Sequence, residues 1–207
     1  MFNIFSKLNK TAEHRRKWIF GTMLAFGIAG LGASFVLAVE EFHLLKDSNA
    51  VLSCTINLVL NCSEVMKTWQ ASVFGFPNMF IGLMGYSVVI TTAVVGLAGA
   101  KLPRWYWTAA NICYGLGAIF AYWLFFQSVY VIEVLCPWCL IVTFVTTILF
   151  ANITHYTFSE NMYKLPARMN KKVQLFIKND YGKILTATWI VLLAMLVYLK
   201  FGEGLFA

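Results

Sequence analysis

Charge is scarce in this chain. Of its 207 residues only 12% are Asp, Glu, Lys or Arg, about half the share of a soluble domain. Acidic residues number nine, histidines three and prolines four. So little charge excludes a water-soluble globule. It also excludes a disordered chain, which needs low hydrophobicity and high net charge. Internal repeats and low-complexity tracts are lacking too. What fills the chain is apolar: 60% of residues, with a mean hydropathy of +0.72. The composition is that of a polytopic membrane protein of one domain or two small ones. The net charge of +7 then records which loops face the cytoplasm rather than an affinity for nucleic acid.

Five apolar stretches are long enough to cross a bilayer, which takes about 20 helical residues. They are 18–39, 80–98, a segment within 105–132, another within 134–159, and 184–201. None alternates apolar and polar residues as barrel strands do, so all are expected to be helices. Lys and Arg are divided unevenly between the connections. Thirteen fall in the N-terminal tail, the 99–104 connection and the 153–183 loop, against three (Lys46, Lys67 and Lys200) on the other side. That asymmetry puts the N-terminus inside and the C-terminus outside. The expected layout is a basic inner tail (1–17), a four-helix unit (18–152) with an outer loop at 40–78, a basic, headgroup-facing inner loop (153–183), and a fifth span with a short outer tail (184–207).

Four of the five cysteines lie on the outer side in two natural pairs, Cys54 with Cys62 and Cys136 with Cys139, where disulfides are permitted. Cys136-Pro137-Trp138-Cys139 opens the fourth span. Its spacing puts both sulfurs on one helix face. The unpaired N–H groups of a helix start favour a thiolate, and Pro137 suits the first turn. A disulfide closing so small a ring adds little entropic stabilisation, which points to redox exchange. Zinc would need two further ligands. His155 lies on the opposite side and His43 is isolated, so no metal is expected. Cys54 and Cys62 read either as a structural staple or, beside a second outer dithiol, as half of a relay. Cys113 has no partner in sequence and is expected to be a buried packing residue. Residues 63–73 read as a short amphipathic helix with Val65, Met66, Trp69 and Val73 on one side, capped by Ser63 with Glu64 in its first turn. It would anchor the loop in the interface, serve as a lid, or do both.

Taken together, the first span, the loop with Cys54 and Cys62, the run Ser72-Val73-Phe74-Gly75-Phe76-Pro77-Asn78 and the Cys136–Cys139 motif resemble the vitamin K epoxide reductase family in its bacterial, disulfide-forming branch. The resemblance covers about residues 18–152. It implies an all-α membrane fold, with a four-helix bundle around a quinone and a fifth helix added. Cys136 and Cys139 become the quinone-proximal pair, and Cys54 and Cys62 the shuttle pair. Ser72 matches the family's loop serine or threonine, and Asn78 a quinone-contacting position. Phe74, Phe76 and Trp138 are candidate pocket residues. Thr143 stands where animal members carry a tyrosine, which favours quinone reduction over epoxide reduction. About six residues follow the last span. The implied partner is therefore a separate DsbA-like thioredoxin-fold protein outside a bacterial cytoplasmic membrane, with menaquinone or ubiquinone as acceptor. A DsbB-like oxidase carries its C-x-x-C in the first outer loop, and a DsbD-like reductant needs cysteine pairs within the spans. A non-enzymatic scaffold or carrier with structural disulfides is the alternative of a different class.

Overall fold

The computed structural model describes residues 2–47 and 51–202, with side chains from residue 13 onward. Lys7 and Lys10 of the basic tail and the tail beyond Gly202 thus lie outside the described side chains. Every regular element among the described residues is helical: α1 (Phe2–Lys46), α2 (Cys62–Met66), a 3₁₀ turn (Trp69–Ser72), α3 (Met79–Leu97), α4 (Arg104–Gln127) with a π-helical last turn (Ser128–Ile132), α5 (Pro137–Ser159), α6 (Ala167–Lys178) and α7 (Tyr181–Phe201). Five of these, α1, α3, α4, α5 and α7, are long and apolar enough to span a membrane. In hydrocarbon each backbone N–H and C=O must be satisfied within the chain, and a helix does that locally. The expected number and type of spans are those found.

Helix α1 packs along α3 and α5, and α4 along α5. Lipid is as apolar as the side chains, so close approach and interhelical hydrogen bonds hold such helices together. Gly30 of α1 makes room for Tyr86 of α3, whose hydroxyl crosses to Thr146 of α5 at 2.7 Å. Asn111 on α4 donates to Thr157 (3.1 Å) and Tyr163 (2.8 Å) and accepts from Thr154 (2.9 Å). Asn152 on α5 donates to Thr22 on α1 at 2.9 Å. A Cβ at Gly30 would stand 2.5 Å from the Tyr86 ring. Gly30→Ala should therefore lower the melting temperature of the detergent-solubilised protein, with a loss of about 1–3 kcal/mol from overpacking. An unchanged melting point would show that the α1–α3 seam gives way freely.

Helix α7 lies at the periphery. Its buried residues Leu193 and Phe201 pack with Phe125, Val129 and Leu135, and Lys200 Nζ meets Glu133 Oε1 at 2.6 Å. Glu133 takes a left-handed conformation (φ 58°) that reverses the chain between α4 and α5. The Lys200 ammonium holds its carboxyl below the usual carboxylate range. Both partners are well exposed, so the pair orients α7 more than it stabilises the fold.

Several local expectations are corrected. Helix α1 does not end at Val39 but runs on to Lys46, helped by His43 and Lys46 in its last turn, where cations complement the helix dipole. The loop expected at 40–78 is shorter by that much. The helix expected over 63–73 is two pieces, with extended backbone at Thr68 between them. Its cap is Asn61, which accepts from the Glu64 N–H at 3.3 Å, and Ser63 lies inside the helix. The basic 153–183 loop contains α6, whose Gln174 donates to the carbonyls of Phe158 and Ser159 at the end of α5. Cys113 is exposed on α4 rather than buried. A helix in a thin bundle buries one narrow stripe, and a uniformly apolar sequence does not say which.

Candidate redox site

The site is assembled from the loop between α1 and α2 and from the first turn of α5. Asn57 starts the loop's turn by accepting from the N–H groups of Val59 (3.0 Å) and Leu60 (2.7 Å) with its side-chain oxygen. Ile56 N–H closes it on Leu60 O at 2.8 Å. The chain then runs beside residue 135 as a single parallel bridge, Leu60 with Leu135. Leu135 N–H donates to Val59 O (2.7 Å), and Asn61 N–H donates to Leu135 O (2.9 Å). This bridge sets the register between two segments far apart in sequence.

The consequence is a row of sulfurs. Cys54 and Cys62 are joined in a disulfide, with Cα atoms 5.7 Å apart. Cys62 Sγ lies 3.2 Å from Cys136 Sγ. Cys136 and Cys139 are free thiols. Cys136 is the extended N-cap residue of α5 and Pro137 opens the helix, as its ring and missing N–H favour. The Cys139 thiol donates to the Cys136 sulfur, and the backbone N–H groups of Cys139 and Trp138 add to it. Together they hold the Cys136 thiol below the ordinary range despite burial. Cys54, Cys62 and Cys136 are buried among Leu37, Leu52, Met66 and Met79, while Cys139 and Trp138 are partly exposed at the edge of that cluster. A thiolate in contact with a neighbouring sulfur exchanges disulfides readily, and its lowered pKa makes it a good leaving group.

The other expected residues divide into two places. Trp138 joins the sulfur cluster. Phe74 and Phe76 are exposed and stack on each other, and Phe74 packs on Phe120 of α4 (centroids 5.5 Å apart). Trp69 likewise meets Trp123 of α4 at 6.0 Å, so this stretch of loop lies over α4. Ser72 is half-buried at the end of the 3₁₀ turn and its carbonyl accepts from Gly75 N–H. Asn78 turns its amide onto its own loop, donating to Gln70 O at 2.6 Å and accepting from Val73 N–H at 3.3 Å. Thr143 donates to the Cys139 carbonyl at 2.9 Å. Among the described residues no group of three His, Cys, Asp or Glu side chains converges to hold a metal.

Two participants escaped sequence reasoning. Leu135 acts through its backbone, which carries no residue signature. Glu40 is the first charge after the long apolar run and reads as the start of a loop. It is instead a buried residue of α1 whose carboxylate accepts from both the N–H (3.2 Å) and the hydroxyl of Ser53.

No curated protein matches the chain. The family model described as the vitamin K epoxide reductase family matches residues 22–154, the stretch from within α1 to within α5 that includes all four site cysteines. With membrane-spanning helices, a loop disulfide and a helix-opening C-x-x-C in contact, the chain belongs to the vitamin K epoxide reductase family, and membership implies a membrane thiol oxidoreductase.

Proposed function

We infer that the protein is a membrane thiol:quinone oxidoreductase that reoxidises a separate, extracytoplasmic DsbA-like protein of thioredoxin fold and passes the electrons to a membrane quinone, so supporting disulfide bond formation. The observation that carries this reading is the 3.2 Å contact between Cys62 and Cys136, which joins a loop dithiol to a helix dithiol. Two disulfides that served only as staples would have no reason to meet.

With Cys62 against Cys136, the donor's thiolate falls to Cys54. Exposed Val51, Ile56 and Leu58 give the donor an apolar rim there. Cys54 itself is buried, so attack follows a local opening of the 51–58 segment. The Cys54–Cys62 bond breaks as a donor–Cys54 mixed disulfide forms and Cys62 leaves as a thiolate; the donor's second thiol then attacks the donor sulfur of that bond, Cys54 leaves, and the loop pair is reduced. Cys62 then attacks Cys136 of an oxidised inner pair and Cys139 departs. Cys54 attacks Cys62, restoring the loop disulfide and releasing Cys136, whose lowered pKa favours departure. One electron pair has moved from donor dithiol to inner dithiol. Cys139, the inner-pair sulfur that does not touch the loop disulfide, is the one that hands the electrons to an acceptor dissolved in the membrane. Trp138 lies in the same cluster, and Asn78, next to Met79 of that cluster, keeps one amide hydrogen for a carbonyl. These groups fit a quinone, which supplies two-electron, two-proton acceptor chemistry.

The Lys and Arg asymmetry supports a bacterial cytoplasmic membrane with the site on its outer face. At the opposite end α6 presents Arg168, Lys171, Lys172 and Lys178 beside exposed Met169, Leu175 and Phe176 and carries no acidic residue. That surface suits anionic lipid headgroups. The reading is tested by quinone reduction in detergent, with the purified protein, a reduced thioredoxin-fold donor and quinone absorbance as the signal. Turnover is expected. Its absence from folded wild type with several quinones would move the reading to a scaffold or carrier with structural disulfides.

A further inference from the structure

We propose that Glu40 is a positioning residue for the relay: its carboxylate holds Ser53, and with it Cys54, over Cys62 while the Cys54–Cys62 bond is open. The inference rests on the relay reading above. In that reading the loop disulfide breaks and re-forms in every cycle, so for part of each cycle the bond cannot keep Cys54 in place. Turn hydrogen bonds such as Ile56 N–H to Leu60 O join the two halves of the loop to each other, and among the described residues a further polar contact ties each half to a helix or its entry. The Cys62 half is tied to helix α5 by the Leu60–Leu135 bridge, with hydrogen bonds of 2.7 and 2.9 Å. The Cys54 half is tied to helix α1 by Glu40, which accepts from the N–H (3.2 Å) and the hydroxyl of Ser53, the residue before Cys54.

The location of Glu40 makes the anchor worth noting. It is 7% exposed, whereas Ser53 is exposed. A buried carboxylate is costly unless hydrogen-bonded, and hydrogen bonds to a charged acceptor are the strong ones. Its partner is a loop residue adjoining a redox cysteine rather than a neighbour on its own helix. Released from Glu40, Cys54 would sample a larger volume, and its effective concentration at Cys62 would fall.

The test is an internal exchange that needs neither donor nor quinone. In a Cys139→Ala background, Cys54, Cys62 and Cys136 share one disulfide. The Cys136 thiolate attacks Cys62, the Cys62–Cys136 bond forms, and Cys54 leaves as a thiolate; the reverse step restores Cys54–Cys62. No electrons enter or leave. The two isomers are quenched with acid, the free thiols (Cys113 among them) are alkylated, and the products are counted by peptide mass spectrometry. Adding Glu40→Ala should shift the ratio toward Cys62–Cys136 by about tenfold or more. Glu40→Gln keeps an acceptor in the same place and should restore most of the original ratio. Ser53→Ala, which removes only the hydroxyl bond, should give a smaller shift in the same direction, and it supplies the reading if Glu40→Ala does not fold. An unchanged ratio in Glu40→Ala, or in Ser53→Ala where that variant stands in, would overturn the positioning role. Gln as harmful as Ala would overturn it in favour of a role for the charge itself. If no Cys62–Cys136 species forms in any background, the relay reading falls, and this inference with it.

Discussion

Replacing Cys139 with alanine should reduce quinone turnover by about a thousandfold or more, the scale on which removal of a reacting group acts. Electrons pass from the inner pair to the acceptor as Cys136–Cys139 closes, and without Cys139 that disulfide cannot form. Full activity in the variant, followed by quinone absorbance, would sink the mechanism. A second effect accompanies the first. The hydrogen bond from the Cys139 thiol is the largest cause lowering the Cys136 pKa, so without it the Cys136 thiol should titrate closer to the ordinary range, read by thiolate ultraviolet absorbance. Because the folded-state pKa is depressed, its contribution to stability is complete above the unfolded thiol pKa and is lost as pH falls through the folded value. Reduced wild type should therefore gain stability over Cys139→Ala as pH rises toward the ordinary thiol range.

Cys62→Ala should separate two inputs. Turnover driven by a thioredoxin-fold donor should fall by about a hundredfold or more, because the sulfur that touches Cys136 is gone. Turnover driven by dithiothreitol should persist, since a small dithiol can reduce Cys136–Cys139 directly. If dithiothreitol-driven turnover vanished as well, Cys62 would be needed to hold the inner pair together rather than to relay electrons. Gly30→Ala and the Glu40 variants test the frame on which these exchanges run. Their outcomes are read in melting temperature and disulfide isomers rather than in turnover.

Much of the site could be read locally. A C-x-x-C with proline at a helix start announces itself because capping, helix dipole and cysteine spacing act within one turn. The five spans were legible for the same reason. Residues whose behaviour depends on distant partners were misread or missed. Cys113 lies on a helix apolar all round, and only packing against α5 decides which stripe is buried. Asn78 reads as a donor for a ligand, and spacing alone does not reveal that its amide also bonds Gln70 and Val73 of its own loop. Ser63 is a good capping residue, yet Asn61 two residues earlier takes that place because the bridge to Leu135 delivers the chain there.

Scarcity of charge and the length of the apolar runs are enough, without any contact, to determine a five-span helical membrane protein. In lipid the helix is the form in which a single segment satisfies its own backbone. The sequence likewise determined that Cys136 and Cys139 share the start of one helix and that Cys54 and Cys62 lie close together in one loop. Tertiary structure alone decided that Cys62, rather than Cys54, faces Cys136 from 74 residues away, and that a glutamate at the end of α1 holds the loop. Both depend on backbone register between remote segments, fixed by the Leu60–Leu135 bridge and the Glu40–Ser53 contact. Register of that kind is set by which surfaces pack, and it leaves no spacing or periodicity along the chain to be read.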